Sequence, residues 1–403
     1  MTRIRVVDSI MGSGKTTWAI NYLNAHRDQR FIYCTPYNAE TERIAEQCAG
    51  FVVPEEKPTK QADFYRLLKD GKNIAITHEL LKRLEITNRL TQLIQDYGYT
   101  LILDEMLEVI EKLYLTERDF QMMERDGCIA VEAGTNRILW LENDYTGVAY
   151  REFMKLAKTK QIILQDGTAF IWLFPIELIQ SFDDIFIMTF MFDDQPLSEF
   201  LEVYQMEHEM YHIAEGQLCE GKRELADIKR TLSQKIHIYS GNLNKVGRKV
   251  GKRCPLSSTW WKQAKKVEKA VVYNNASNYF RNVCHALSHE VMWTAIKGGV
   301  KNRQMTIQGR WPDGFCSCNM RATNTFRDRT CLAYLIDVYI DPSIESWFRD
   351  HERTIDACTY ALSQLLQWVW RSAIRSGNEI WLYLPSQRMR DFFTDWLGIE
   401  RIA

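Results

Sequence analysis

The chain has 403 residues, 46% hydrophobic and 26% charged, with a formal net charge of −1. That length allows two domains with separate cores, and those proportions are those of a soluble globular protein. No apolar run nears the ~20 residues that span a bilayer, and Arg3, Arg5 and Asp8 interrupt the only N-terminal apolar stretch, which excludes a signal peptide. Ten cysteines are scattered without a Cys-x-x-Cys pair, which points to reduced thiols in a cytoplasm.

In chain order, an apolar strand at 4–8 leads into Ile10-Met11-Gly12-Ser13-Gly14-Lys15-Thr16-Thr17 and then a helical pattern over 16–26. Gly12 and Gly14 let backbone N–H groups of the Gly12-Ser13-Gly14-Lys15-Thr16-Thr17 loop turn around phosphate oxygens, at the positive end of the helix dipole. Lys15 then reaches the β- and γ-phosphates, and the Thr16 hydroxyl ligates Mg²⁺. The full P-loop pattern places a glycine where this chain has Ser9. Further strands are expected at 30–34, 73–77, 100–104, 161–165 and 184–190, and helices at 38–48, 60–69, 79–95 and 150–158. Such alternation predicts a mostly parallel sheet with helices on both faces. The strand at 100–104 ends in Asp104-Glu105, at the edge where open α/β sheets bind ligands. Asp104 is expected to hold the Mg²⁺ of bound ATP, and Glu105 to polarise the attacking water.

Residues 197–235 read as a helical linker, and the remainder as a second α/β portion with strands at 235–239 and 379–384, an apolar stretch at 331–340 and a helix at 357–376. Between 231 and 310 there are fifteen Lys/Arg against two acids, a formal +13 that leaves −14 on the rest of the chain. This contrast points to a polyanionic partner. Arg248, Lys249, Arg253 and Lys262 are candidate phosphate contacts. Trp260 and Trp261, with Tyr273, Tyr279, Phe280 and Trp293, are candidate rings for base stacking, the competing reading being a packed core. Cys284, His285, His289, Cys316 and Cys318 could converge on zinc if 285–289 is helical, but their spacing fits no closed module.

With these elements in order, the chain resembles superfamily 2 (DEAD/DEAH-like) helicases. Thr35-Pro36 looks like that family's first strand-contacting motif, and Thr77-His78 is similar to a segment of DEAH-like relatives. Asp104-Glu105 takes the DEAD-box position, and Gly167-Thr168-Ala169 stands where the Ser-Ala-Thr coupling motif falls, which makes Thr168 the coupling residue. Gln367, Arg371 and Arg375 resemble the last motif, in which an arginine reaches the γ-phosphate; Arg375 would lie one helical turn beyond Arg371 on the same face. Residues 316–329 fall where the second lobe's coupling motif belongs but depart from it, which leaves Arg321, Thr323 and Asn324 as weaker candidates.

The resemblance, closest in form to compact phage and prophage helicases, implies two RecA-like P-loop lobes, each a parallel sheet flanked by helices. An ATP-binding lobe would span 1–196, a linker 197–235, and a divergent second lobe with the basic Trp-rich segment 236–403. It further implies an ATP- and Mg²⁺-dependent helicase or translocase in the host cytoplasm, monomeric and off the membrane, serving phage replication. It would move along single-stranded or forked nucleic acid, DNA favoured over RNA, hydrolysing ATP between the lobes. The chain starts almost at the P-loop, so the adenine-reading Gln motif of DEAD-box proteins is not expected and base selectivity should be loose. Two other readings stand beside it. One is a packaging-type P-loop ATPase with a nuclease, for which Asp337, Asp341 and Glu345 are too local to hold two metals. The other is a nucleic-acid-binding scaffold gated by ATP, against which the intact Glu105 argues.

Overall fold

The computed structural model describes residues 2–142, 144–249, 251, 253–296, 311–318 and 324–401. The chain folds as two α/β units, Met1–Arg223 with Ile340–Asp356, and Glu224–Tyr339 with Ala357–Ala403.

The first unit is built on an eight-stranded sheet. Its spatial order is Gln217–Glu220, His208–Ala214, Arg3–Asp8, Asp184–Thr189, Tyr99–Asp104, Arg30–Thr35, Asn73–Thr77 and Phe51–Val52. All neighbours run parallel except the terminal hairpin, Gln217–Glu220 against His208–Ala214. The central strands read as near-continuous apolar runs because both faces are covered: Tyr99–Asp104 is buried along its whole length. On one face Val7, Ala19, Phe31, Tyr33, Ile44 and Ile102 share a core with the P-loop helix.

Two stretches depart from the sequence expectation. Residues 197–235 are not one helical linker: a helix, Pro196–Val203, is followed by the hairpin that extends the sheet, and then by a second helix, Ala226–Lys235. Residues 161–165 do form a strand, Ile162–Gln165, but in a separate antiparallel sheet with Ala169–Leu173 and Ile110–Leu113. That sheet belongs to an insertion between the acidic-pair strand and Asp184–Thr189, with its own core of Met123, Ile129, Ile138, Ala157, Ile162 and Phe170. The helix Pro342–Asp350, late in sequence, joins this unit. Asp341 caps it and pairs with Lys112, and Asp350 accepts from Gln165 Nε2 at 2.6 Å.

The second unit holds a four-stranded parallel sheet in the order Ile236–Ile238, Ile380–Tyr383, Cys331–Tyr334, Val291–Thr294. The basic Trp-rich segment packs on it. Trp260, Trp261, Tyr279, Phe280 and Trp293 lie in one buried cluster, with Tyr273 against it. Trp261 is 1% exposed, and its indole N–H donates to Leu335 O at 3.0 Å.

Candidate nucleotide site

The first strand ends at Asp8, and the chain turns through Gly12 (φ +79°) and Gly14 (φ +93°) into the helix Lys15–Ala25. Both glycines occupy the left-handed region, which side chains with a Cβ resist. Its N-cap residue, Gly14, supplies no side-chain cap, and this leaves the first-turn amides to a phosphate. Ser13 Oγ is likewise buried without a hydrogen-bond partner among the described residues.

Register along the sheet brings the remaining groups to the same ridge. Asp8 sits beside Thr189, Met188 beside Asp104, and Thr35 beside Thr77. Asp104, 9% exposed, receives two hydrogen bonds on Oδ2, from Tyr33 Oη at 2.6 Å and Thr16 Oγ1 at 3.4 Å. Burial pushes the Asp104 carboxyl up, and the Tyr33 hydrogen bond and the Lys15 charge oppose that rise. Lys15 donates to the Ser9 and Ile10 carbonyls. Burial pulls it down to about 8, although Asp104, Asp8 and Glu105 favour its charge. Glu105 adopts φ +69°, a conformation costing a non-glycine residue about 1 kcal/mol, and its amide is held by Met188 O at 2.9 Å. Hard oxygen donors beside an uncapped helix start suit Mg²⁺, which takes one or two carboxylates and completes its shell with phosphates and water. Thr16 and Asp104 would hold it, and the ion would neutralise phosphate charge. Among the described residues no group of three or more His, Cys, Asp or Glu could hold a metal by itself.

Sequence reasoning missed four members of this ridge. Tyr33 reaches Asp104. Asp8 accepts from the Met191 and Phe192 amides at 3.0 and 3.1 Å, and burial pushes its carboxyl up. Ser9 stands at the glycine position of the P-loop pattern and is 2% exposed. Its amide donates to Thr189 O at 3.0 Å, and its hydroxyl accepts from Ile213 N–H at 2.8 Å. Thr189, buried with no partner for its hydroxyl among the described residues, ends the strand between those of Asp8 and Asp104. Thr168 does not: it lies in the turn of the insertion's hairpin, its amide donating to Gln165 O. Thr189 therefore replaces Thr168 as the residue that adjoins the acidic-pair strand.

Other expected residues are placed differently. Thr35 and His78 are buried, and the Thr77 hydroxyl accepts from Leu80 N–H as a helix cap. Pro36 is half-buried beyond its strand. Trp260 and Trp261 are core residues and offer no face for stacking. Arg248, Lys249 and Lys262 are exposed, whereas Arg253 forms a two-pronged pair with Glu268 at 2.5 and 3.1 Å. Lys252, Lys297, Lys301, Arg303, Arg310, Arg321 and Thr323 lie outside the described residues. Asn324 begins a short 3₁₀ turn.

The helix carrying Gln367 ends at Val369, and Arg375 lies in a separate 3₁₀ turn, Ala373–Ser376. Arg371 and Arg375 thus do not share a helical face. Arg371 is committed to the carbonyls of Ser317 and Cys318 at 3.1 and 3.2 Å, while Arg375 is exposed. Nor do His285 and His289 share one: His285 has φ +50°, and His289 sits in a three-residue turn.

Comparison with known proteins agrees with this architecture. An apo XPD structure aligns over 99% of this chain and 96% of that one, at 10% identity and a TM-score of 0.50. An XPD helicase structure aligns over 99% and 95%, at 11% identity and a TM-score of 0.47. The first shows a shared α/β fold. The model of the YonV C-terminal Rossmann-like domain matches residues 230–397. The SPbeta prophage-derived protein YonV of Bacillus subtilis (strain 168) is 33% identical over 423 aligned positions, covering 100% of both chains. With that identity sustained over both full lengths, the chain belongs to the YonV family.

Proposed function

We propose that the first unit binds and hydrolyses ATP with Mg²⁺, and that the chain couples this turnover to movement along nucleic acid, with single-stranded DNA favoured over RNA. The observation that carries the reading is the convergence of Lys15, Thr16, Asp104 and Glu105 on one ridge of the sheet, Thr16 and Asp104 within 3.4 Å. Lys15 and the loop amides hold the phosphates, Thr16 and Asp104 bind the ion, and Glu105 orients the attacking water. Asp8, through the Met191 and Phe192 amides, and Thr189, through the Ser9 amide, tie the ends of the Arg3–Asp8 and Asp184–Thr189 strands together. Within the second unit, Arg371 is spent on backbone carbonyls while Arg375 is exposed.

With the tryptophans buried, binding to nucleic acid falls to cations: Arg248, Lys249, Lys262, Lys265, Lys266, Lys269 and Arg281 are exposed or half-exposed. Phosphate contacts of this kind are sequence-independent and weaken steeply with salt. The test is steady-state ATP hydrolysis with and without single-stranded DNA, at low and high salt. Stimulation that fades as salt rises is expected. Turnover indifferent to every nucleic acid, with tight binding intact, would favour the ATP-gated scaffold instead.

A further inference from the structure

Tyr33 lies in an otherwise apolar stretch of the strand Arg30–Thr35 and is fully buried. It pairs in register with Ile102, so its ring shares a face with Asp104 two residues further along the neighbouring strand. The phenol is long enough to cross that diagonal, and its hydroxyl donates to Asp104 Oδ2 at 2.6 Å. Phenylalanine would fill the same core slot among Val7, Phe31, Ile44 and Ile102 without a polar atom to desolvate. The hydroxyl is therefore accounted for by the carboxylate it serves. Burial and the neighbouring carboxylate push the phenol well above its ordinary range, which keeps it a donor at every physiological pH.

We propose that Tyr33 is a positioning residue for the magnesium-binding carboxylate. It pins Asp104 Oδ2, which would leave the other oxygen of the carboxylate for the ion. The proposal rests on the ATP reading above. Among the described residues Asp104 has two side-chain donors, Tyr33 and Thr16. Were the Thr16 hydroxyl to ligate the ion, Tyr33 would be the side-chain donor left to fix the carboxylate. Its contribution is thus concentrated in the metal-loaded state.

The test is titration of the full chain with a fluorescent ATP analogue, in Mg²⁺ and in EDTA, for wild type and Tyr33→Phe. In wild type, Mg²⁺ strengthens binding. In Tyr33→Phe that gain shrinks about ten-fold, the worth of one hydrogen bond to a charged group, while affinity in EDTA stays as in wild type. A Tyr33→Phe change made in an Asp104→Asn background adds nothing further. The proposal is overturned if Tyr33→Phe keeps the wild-type gain. It is equally overturned if affinity drops by the same factor in EDTA, or if the loss persists undiminished beside Asp104→Asn. A wild-type chain whose nucleotide affinity ignores Mg²⁺ would instead remove the ATP reading, and this one with it.

Discussion

Restoring the P-loop pattern at position 9 should weaken this protein. Ser9 is 2% exposed, and its hydroxyl is the acceptor for the N–H of Ile213, itself 1% exposed. Ser9→Gly leaves that buried N–H unpaired, at about 1–3 kcal/mol, and adds about 0.5–1 kcal/mol of backbone freedom to be lost on folding. A loss near 2.5 kcal/mol, in a unit of this size, lowers Tm by about 5–10 °C. Ser9→Ala isolates the hydroxyl and should give most of the same drop. Thermal unfolding by circular dichroism measures both, and hydrogen exchange at the Ile213 amide should quicken in each variant. A Ser9→Gly protein as stable as wild type, or more so, would refute the reasoning, because the glycine would then be an improvement as the motif alone suggests.

Three further outcomes follow from the same geometry. Lys15 falls from 10.5 to about 8 in the folded chain. Between those values the unfolded chain holds a proton that the folded one has released, so this group's contribution to stability rises with pH across that window, and below it the full cost of a buried ammonium is present. Phosphate binding favours the charged form, so nucleotide binding above pH 8 should take up a proton and weaken by as much as ten-fold per pH unit. Calorimetry at pH 9 in two buffers of different ionisation heat tests this, and zero uptake contradicts it. Trp261→Ala should destabilise the second unit by about 3–5 kcal/mol, as large core truncations do; a variant of unchanged stability that loses only DNA binding would return the ring to a stacking role. Arg371→Ala should lower the thermal stability of the second unit, because its guanidinium holds the Ser317 and Cys318 carbonyls, whereas the exposed Arg375→Ala should not; equal stability of the two variants would contradict this.

What could be read from the chain was local. The strand, glycine loop and helix around Lys15 are adjacent in sequence, and the apolar run before Asp104-Glu105 announces a buried strand without any partner being known. The rest depends on register and topology. Tyr33 meets Asp104 only because two distant strands pair with Tyr33 opposite Ile102. Thr189 reaches the ridge only after an insertion large enough to own a core, and within it Thr168 offered a sequence decoy. The hairpin at His208–Ala214 carries Glu, Met and His in an order that suits a helix surface as well as a sheet edge. Lysines interleaved with tryptophans describe a stacking track, but equally an amphipathic segment whose rings face inward, as they do at Trp260 and Trp261. Nothing local in Gln367–Arg375 marks the helix end at Val369 either, since Trp370 and Arg371 continue the pattern.

The central claim, that Lys15, Thr16, Asp104 and Glu105 form a hydrolytic site, is tested most directly by Glu105→Gln, with ATP binding and ATP turnover measured on the same preparation. Removing the carboxylate that orients water should leave ATP affinity within about three-fold while turnover falls at least a hundred-fold, a separation of about 2.7 kcal/mol in the transition state alone. Turnover that survives the substitution would contradict the account, and so would loss of binding and turnover in equal measure.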